Sequence, residues 1–176
     1  MQNRLKDKHI AFVAGHGVEA EHLTKPMQEL QKLGAKVSVV SDVNEPQLRT
    51  QGSQITQAVD QKAAVANHAH FDAVIVSGGT PIGSPQLHDF LNRFQQAGKP
   101  VAIAGHRSAL ELAAAAQLLK GRKVTATPEL KQYVEDAGAR WSSNEVEIDK
   151  LLITTHHNKH PQAFNEAIVA AVGLSG

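Results

Sequence analysis

The sequence predicts one α/β domain, built on a mostly parallel sheet that carries helices on both faces. Short apolar runs, typical of buried parallel strands, alternate along the chain with segments whose apolar residues recur at helical spacing. This alternation indicates βαβ units, which produce a parallel sheet. Because no repeat and no linker divides the 176 residues, we expect residues 1–176 to form a single domain.

The strands are predicted from short runs rich in Val, Ile and Ala. They lie at 9–14, 36–41, 71–77, 101–104 and 123–126, with a hairpin-like pair at 146–148 and 151–154. Region 42–70 is polar and Gln-rich, and we expect a small excursion with a hairpin there. Its signals are weak: a strand near Ile55 and a helix at 63–66.

The helices are predicted from an apolar face and from the residues that begin and end them. Ser84 and Pro85 provide a cap and a first-turn proline for a helix that Gly98 ends. Its buried face is expected to contain Leu87, Phe90, Leu91 and Phe94. The other helices are expected to end at Gly34, to begin at Ser108, to run from Thr127-Pro128 to Gly138, and to span 161–172.

Charge and composition exclude several classes of function. The 18 Lys and Arg residues balance 17 Asp and Glu residues, so we expect neither a nucleic-acid nor a membrane partner. Residues 1–8 are polar and no apolar run reaches membrane-spanning length, so we expect a cytoplasmic protein without a signal peptide. The chain contains no cysteine, which excludes disulfides, thiolate metal sites and thiol catalysis. We also expect no cofactor.

Residues 99–110, K-P-V-A-I-A-G-H-R-S-A-L, are typical of a nucleophile elbow: a strand, an abrupt turn and a helix. The start of that helix would offer free N–H groups and a positive dipole end to an oxyanion. The turn, however, carries Gly105 and His106, and no cysteine exists to occupy it. The sequence therefore predicts the frame of an active site without its usual nucleophile.

Parallel sheets hold their sites at the carboxyl ends of the strands, where the strand order switches. This rule brings the loops 15–21, 105–108 and 155–160 into one cleft. Gly78-Gly79 matches neither phosphate-binding glycine motif and is interpreted as a turn at a strand end. The residues expected to line the cleft are His16, Gly17, Gly78, Gly79, Gly105, Arg107, Ser108 and His156.

Ser108 has two interpretations. It could be a substitute nucleophile beside His106, which would need a base and an orienting group in hydrogen-bond reach. It could instead cap the helix that follows the turn, and a capping serine is the commoner finding. We favour the cap.

The ten histidines also have two interpretations. Six of them follow predicted strands or the elbow: His16, His22, His106, His156, His157 and His160. Neutral imidazoles together with Glu19 would suit Zn²⁺. No metal-binding spacing supports such a site, so we favour surface histidines and expect no metal.

From about residue 8 to residue 172 the chain resembles the PfpI/ThiJ family of the class I glutamine-amidotransferase-like superfamily. The resemblance rests on five segments in order: HIAFVAGHGVEAEHL, FDAVIVSGG, AGKPVAIAGHRSALELA, LLKGRKVTATPELKQYVEDAGA, and VEIDKLLITT followed by AFNEAIVAA. It implies a flavodoxin-like three-layer sandwich. It also implies that Gly78 and Gly79 line the cleft, and that the protein forms a homo-oligomer, most simply a dimer.

In that family the elbow usually reads A-I-C-H-G-P, and a glutamate after the first strand hydrogen-bonds the cysteine nucleophile. The resemblance places that glutamate at Glu19, the elbow histidine at His106 and the cysteine position at Gly105. The variant most similar to K-P-V-A-I-A-G-H-R-S is the C-terminal domain of large-subunit catalases, which also lacks the thiol. Catalase activity does not carry over, because the haem-binding domain is not part of the resemblance.

Two functions follow from the resemblance. The first is a non-catalytic domain with a stress-related, chaperone-like or protein-interaction role, in which Glu19 is a leftover carboxylate that hydrogen-bonds the elbow. The second is a cysteine-independent hydrolase, deglycase or lyase that uses Glu19 and the histidines of the cleft. Because the thiolate supplies the covalent chemistry of the family, its absence favours the first function, with client or partner proteins as its ligands.

Overall fold

The structure, a computed structural model, describes residues 3–52, 56–79, 83–156 and 161–174. The strands are β1 (His9–Ala14), β2 (Val18–Glu19), β3 (Lys36–Ser41), β4 (Gln47–Gln51), β5 (Thr56–Ala58), β6 (Gln61–Lys62), β7 (Ala73–Gly78), β8 (Val101–Ile103), β9 (Lys123–Thr125), β10 (Arg140–Ser142), β11 (Val146–Asp149) and β12 (Leu152–Thr155). The helices are α1 (Thr24–Lys32), α2 (Pro85–Gln96), α3 (Arg107–Ala115), α4 (Lys131–Asp136) and α5 (Pro161–Leu174).

Within the described residues, the central sheet contains seven strands in the order β11-β12-β8-β7-β1-β3-β6. β11 is antiparallel to β12, and the other neighbours are parallel. Along the chain, β3 and β6 extend the sheet on one side of β1, and β7, β8 and β12 then extend it on the other side. The strand order therefore reverses between β1 and β7, and their carboxyl ends form the point at which such sheets hold their sites.

Alternate side chains of the central strands belong to two separate cores, because successive strand residues point to opposite faces of a sheet. Val13 and Val76 pack in the core that includes α2 and α3. Phe12 and Ile75 pack in the core that includes α1 and α5. The predicted three-layer α/β sandwich with a mostly parallel sheet is confirmed.

The second helix begins and ends where the sequence predicts. Ser84 Oγ accepts a hydrogen bond from the Leu87 N–H at 3.1 Å, and Pro85 is the first residue of α2. After the helix, Gly98 adopts φ +70°, a conformation that favours glycine. The four predicted apolar residues of α2 are all buried.

Region 42–70 contains the expected hairpin, since β4 and β5 pair antiparallel. The helix signal at 63–66 is wrong: these residues form a turn, in which the N–H groups of Val65 and Ala66 donate to the Lys62 carbonyl. Four small apolar residues are too few to nucleate a helix in a polar region. Ile55 lies outside the described residues.

Two predicted helices start differently. The first begins only at Thr24, because Val18 and Glu19 pair with Thr50 and Gln51 before the chain turns. Beyond Thr127, whose side chain makes no capping bond, a 3-10 turn (Pro128–Leu130) precedes α4. The strand before it, β9, pairs with β10 in a separate two-stranded sheet.

The last helix, α5, is 14 residues long, whereas a bilayer-spanning helix needs about 20. Within the described ranges, no helix combines the length and apolar character needed to cross a membrane.

Three phenylalanines connect α2 to the sheet. The rings of Phe90 and Phe94 meet edge to face with centroids 5.0 Å apart, and Phe71, just before β7, lies 5.9 Å from Phe90. Phe94 has no exposed surface. Because the chain has only five phenylalanines, this cluster holds most of the large aromatic side chains of the core.

We expect Phe94→Ala to lower the free energy of unfolding by about 3–5 kcal/mol, because the cavity it leaves is enclosed by the other two rings. Urea unfolding of the variant and the wild type measures this difference. Val65→Ala is the control: Val65 is 76% exposed, and its truncation should change the free energy by less than about 0.5 kcal/mol. Equal effects of the two substitutions would contradict the described core.

Candidate functional site

The predicted elbow is present. β8 ends at Ile103 and α3 begins at Arg107, so residues 104–106 form a tight turn in which the His106 N–H donates to the Ala104 carbonyl at 2.9 Å. His106 is the N-cap residue, with extended backbone (φ −144°, ψ 167°), and its side chain makes no capping bond. Its imidazole is therefore available to the neighbouring strand β7.

Ser108 is the second residue of α3 and does not cap it, so the capping interpretation is wrong. The helix begins earlier than expected, because the extended backbone ends at His106. Ser108 Oγ instead accepts a hydrogen bond from the Gly79 N–H at 3.2 Å and lies 3.0 Å from His106 Nδ1. The serine thus connects the helix start to the end of β7.

The second nitrogen of His106, Nε2, contacts the carbonyl oxygen of Ser77. A carbonyl only accepts, so Nε2 carries the hydrogen, and Nδ1 of the neutral ring accepts from the Ser108 hydroxyl. Burial lowers the pKa of His106, and the Ser77 carbonyl and the Glu19 carboxylate offset this only in part. The ring is therefore neutral near pH 7, with its basic nitrogen facing Ser108.

The glycines at the end of β7 make room for these side chains. A Cβ at Gly78 would lie 1.8 Å from His106 Cε1 and 2.6 Å from Ser108 Oγ. A Cβ at Gly79 would lie 2.3 Å from the Gly15 carbonyl oxygen at the end of β1. Both glycines also have positive φ, +102° and +98°. They let α3 and β1 approach the backbone of β7 directly.

His22 lies against the other face of the site. Its ring stacks on that of His106, with centroids 4.6 Å apart and an angle of 17° between the planes. Burial, and then the nearby His106, lower the pKa of His22 to about 4. The 3-10 turn Ala20–His22 carries this side chain back over the sheet.

Glu19 is held at the rim, because its strand β2 pairs with β4. Its side chain is 56% exposed, and its carboxylate lies 3.9 Å from His22 Nε2. In the described part of the chain, no hydrogen bond joins Glu19 to the turn 104–106. The expected contact between this carboxylate and the elbow is therefore not formed.

These groups surround a cavity of about 290 Å³ at the switch point of the sheet. It is lined by His16, Gly17, Val18, Glu19, His22, Gln51, Gly79, His106 and Ser108. Two residues of the site, Ser77 and Gln51, were not predicted from the sequence. Ser77 lies behind His106, and the only signal for it was a polar residue at the end of a buried strand.

A second cavity, of about 360 Å³, adjoins the first. It is lined by Gly79, Gly83, His88, Ser108, Glu111, Leu112, Ala115 and Tyr133. Among the described residues, only Gly79 and Ser108 line both cavities, so Ser108 lies where the two spaces meet.

Other predicted cleft residues lie elsewhere. Arg107 pairs with Glu111 at 2.8 Å and covers the ring of Tyr133, on the outer side of α3. His156 lies beyond β12, where its N–H donates to the Glu145 carbonyl at 2.7 Å. His157 and His160, also predicted near this cleft, lie outside the described residues.

His16 lines the first cavity but has a structural role. Its Nδ1 accepts the Arg49 N–H at 3.2 Å, and its Nε2 lies 2.9 Å from Glu45 Oε2. It thereby joins the loop after β1 to β4. Within the described ranges, no three His, Asp or Glu side chains are arranged to hold a metal ion.

The chain is similar to known proteins over nearly its whole length. The sequence model of the DJ-1/PfpI family matches residues 8–171. Protein/nucleic acid deglycase 2 of Escherichia coli (strain K12) is 28% identical over 171 residues, which are 94% of this chain and 98% of that protein. General stress protein 18 of Bacillus subtilis (strain 168) is 28% identical over 170 residues, which are 93% of this chain and 96% of that protein.

A solved structure shows the same fold. A two-domain protein from Anabaena variabilis, with DJ-1/ThiJ/PfpI-like and ferritin-like domains, superposes with a TM-score of 0.86 at 24% identity. The match covers 94% of this chain and 50% of that one. The resemblance to the C-terminal domain of large-subunit catalases stays a prediction.

We expect Gly78→Ala to displace His106 and Ser108, because the added methyl group occupies the position of the imidazole. The imidazole ¹⁵N resonances of His106 should shift, and the urea midpoint should fall. Gly98→Ala is the matched control: Gly98 also has positive φ (+70°), but a Cβ there meets nothing within 4 Å. Unchanged His106 resonances in Gly78→Ala would contradict the close approach.

We expect stability to fall as the pH falls from about 6.5 to about 4, in part because of His22. In this range the unfolded chain, with the ordinary histidine pKa, binds more protons than the folded chain, so protonation favours unfolding. His22→Phe keeps a stacked ring without a titratable group and should flatten this dependence of the urea midpoint. Val65→Ala, at an exposed residue without a titratable group, should leave the slope unchanged. Equal slopes for His22→Phe and wild type would refute the assignment.

Proposed function

This chain belongs to the DJ-1/PfpI family, and we propose that it is a stress-related member that does not catalyse the thiol-dependent reactions of the family. The relatives support the general role, since one is named a general stress protein and others are named deglycases. The proposal about thiol chemistry rests on the site itself.

One observation carries the proposal: the elbow has no thiol side chain. Gly105 occupies the turn where the resemblance places the cysteine, and the chain has no cysteine that could replace it. The carboxylate of Glu19 faces solvent and His22 and does not contact the turn. Neither the nucleophile nor its expected partner is in place for a thiolate mechanism.

A chaperone-like or protein-interaction role would need an apolar surface. Few large apolar side chains are exposed in the described residues, namely Val65 and Ile148. A groove of about 750 Å³ lies between α1 and α5, but Leu30 and Val169 in its lining are buried, and its lining also carries the exposed charged side chains of Glu21, Lys25 and Glu29. A dimer, client proteins and a cytoplasmic location all stay predictions.

The alternative is a cysteine-independent hydrolase, deglycase or lyase, and the hydrogen bond between Ser108 and His106 favours the hydrolase among these. An enzyme that uses Glu19 as its main catalytic group has less support, because Glu19 is exposed and lies beside His22.

We expect deglycase, glyoxalase and peptidase assays of the wild type to read at background, and iodoacetamide to have no effect. Gly105→Cys should introduce a thiol with a lowered pKa, since it would precede the start of α3 and His106. Its alkylation by iodoacetamide at about pH 6 should be faster than that of Ser143→Cys, the control at an exposed position. Wild-type turnover of methylglyoxal well above background would overturn the proposed function.

A further inference from the structure

We propose that Ser108 is the nucleophile, and His106 the general base, of a serine hydrolase site for small uncharged esters. This inference goes beyond the proposed function, which concerns only the absent thiol. It develops the hydrolase alternative by assigning the reacting atom to a residue three positions after Gly105.

The direction of the hydrogen bonds is that of a nucleophile and its base. The Ser77 carbonyl holds the hydrogen on His106 Nε2, so Nδ1 is left to accept the Ser108 proton across 3.0 Å. This distance is within the reach of a general base. The Gly79 N–H donates to Ser108 Oγ from the other side and orients the hydroxyl. A nucleophile, a base and a group that orients the base are thus present together.

The base is held in one orientation. Gly78 lies directly behind the ring, where a side chain would clash with Cε1, and His22 stacks on its face. The charged or titratable groups that face the ring are His22 and Glu19. Burial keeps the imidazole of His106 neutral at physiological pH, as a base must be before it takes a proton.

The surroundings of Ser108 offer room for both halves of an ester. On one side lies the second cavity, whose lining combines Leu112, Ala115 and Tyr133 with the polar side chains of His88 and Glu111, and whose volume of about 360 Å³ admits a short acyl group. On the other side lies the first cavity, with His22, Glu19 and Gln51, which suits a polar alcohol. Glu19, at the first cavity, disfavours an anionic substrate, whereas the charge of Glu111 at the second cavity is paired with Arg107.

The start of α3 supplies electrostatic stabilisation. The side chain of His106 makes no capping bond to α3, and the positive dipole end at the start of this helix favours the negative charge that develops on a carbonyl oxygen.

The reaction is a two-step hydrolysis with water as co-substrate. Ser108 Oγ bonds to the ester carbonyl carbon while its proton passes to His106 Nδ1. The tetrahedral intermediate collapses, the bond to the alcohol oxygen breaks, and Nδ1 returns the proton to that oxygen. Water then attacks the acyl-serine, its proton passes to Nδ1, and the bond to Ser108 Oγ breaks. Oγ regains the proton as the carboxylic acid leaves.

A fluorophosphonate probe tests the assignment on the full chain, since it phosphonylates an activated serine, and peptide mass spectrometry locates the modified residue. We expect the wild type to be labelled at Ser108. We expect no such label in Ser108→Ala and a rate at least about 100-fold lower in His106→Gln. Ser143→Ala, at an exposed serine, should be labelled at Ser108 like the wild type.

The pH profile separates a general base from a structural histidine. The labelling rate of the wild type should rise as His106 loses its proton at a pH below 6.5 and then stay level to about pH 8. Absence of label on Ser108 in the folded wild type overturns the proposal, as does an unchanged rate in His106→Gln. Either result leaves the proposed function intact, because the absence of thiol chemistry is measured separately.

Discussion

The direct contact between the start of α3 and the bare backbone at Gly78 is the constraint on which the site depends. A Cβ at this position would lie 1.8 Å from the imidazole of His106. Because the position is glycine, the ring reaches the Ser77 carbonyl, and Ser108 reaches the Gly79 N–H. The helix start and the strand end are thereby joined by side chains that would otherwise be held apart.

The same contact explains why the imidazole of His106 is tolerated in a largely buried place. Burying a polar group is costly unless it finds a hydrogen-bond partner. Both nitrogens of His106 have partners, and its faces are covered by His22 and by the strand end. A satisfied and tightly packed imidazole keeps one tautomer and one orientation, which is the condition for a useful base.

The resemblance to the PfpI/ThiJ family places the cysteine nucleophile in the turn after β8, at the position that Gly105 occupies in this chain. The adjoining residues still meet the carboxyl ends of β1 and β7, at the switch in strand order. In the proposed site the reacting atom, Ser108 Oγ, lies on the first turn of α3, next to the strand ends and the helix start that stabilise it. The cavity on each side of Ser108 follows from this place between two strand ends.

The sequence by itself determined the strands of the central sheet other than β6, the limits of α2 and the absence of a thiol, because these depend on local periodicity, on caps such as Ser84 and on composition. It also located the elbow turn. Only the tertiary structure decided which side chains meet there. The partner of His106 is Ser77, 29 residues earlier, and the ring that covers it belongs to His22. Arg107, one residue from His106, points to Tyr133 instead. Such contacts depend on the order of the strands in the sheet and on the space at Gly78. Neither can be predicted from the residues adjacent to His106 in the sequence.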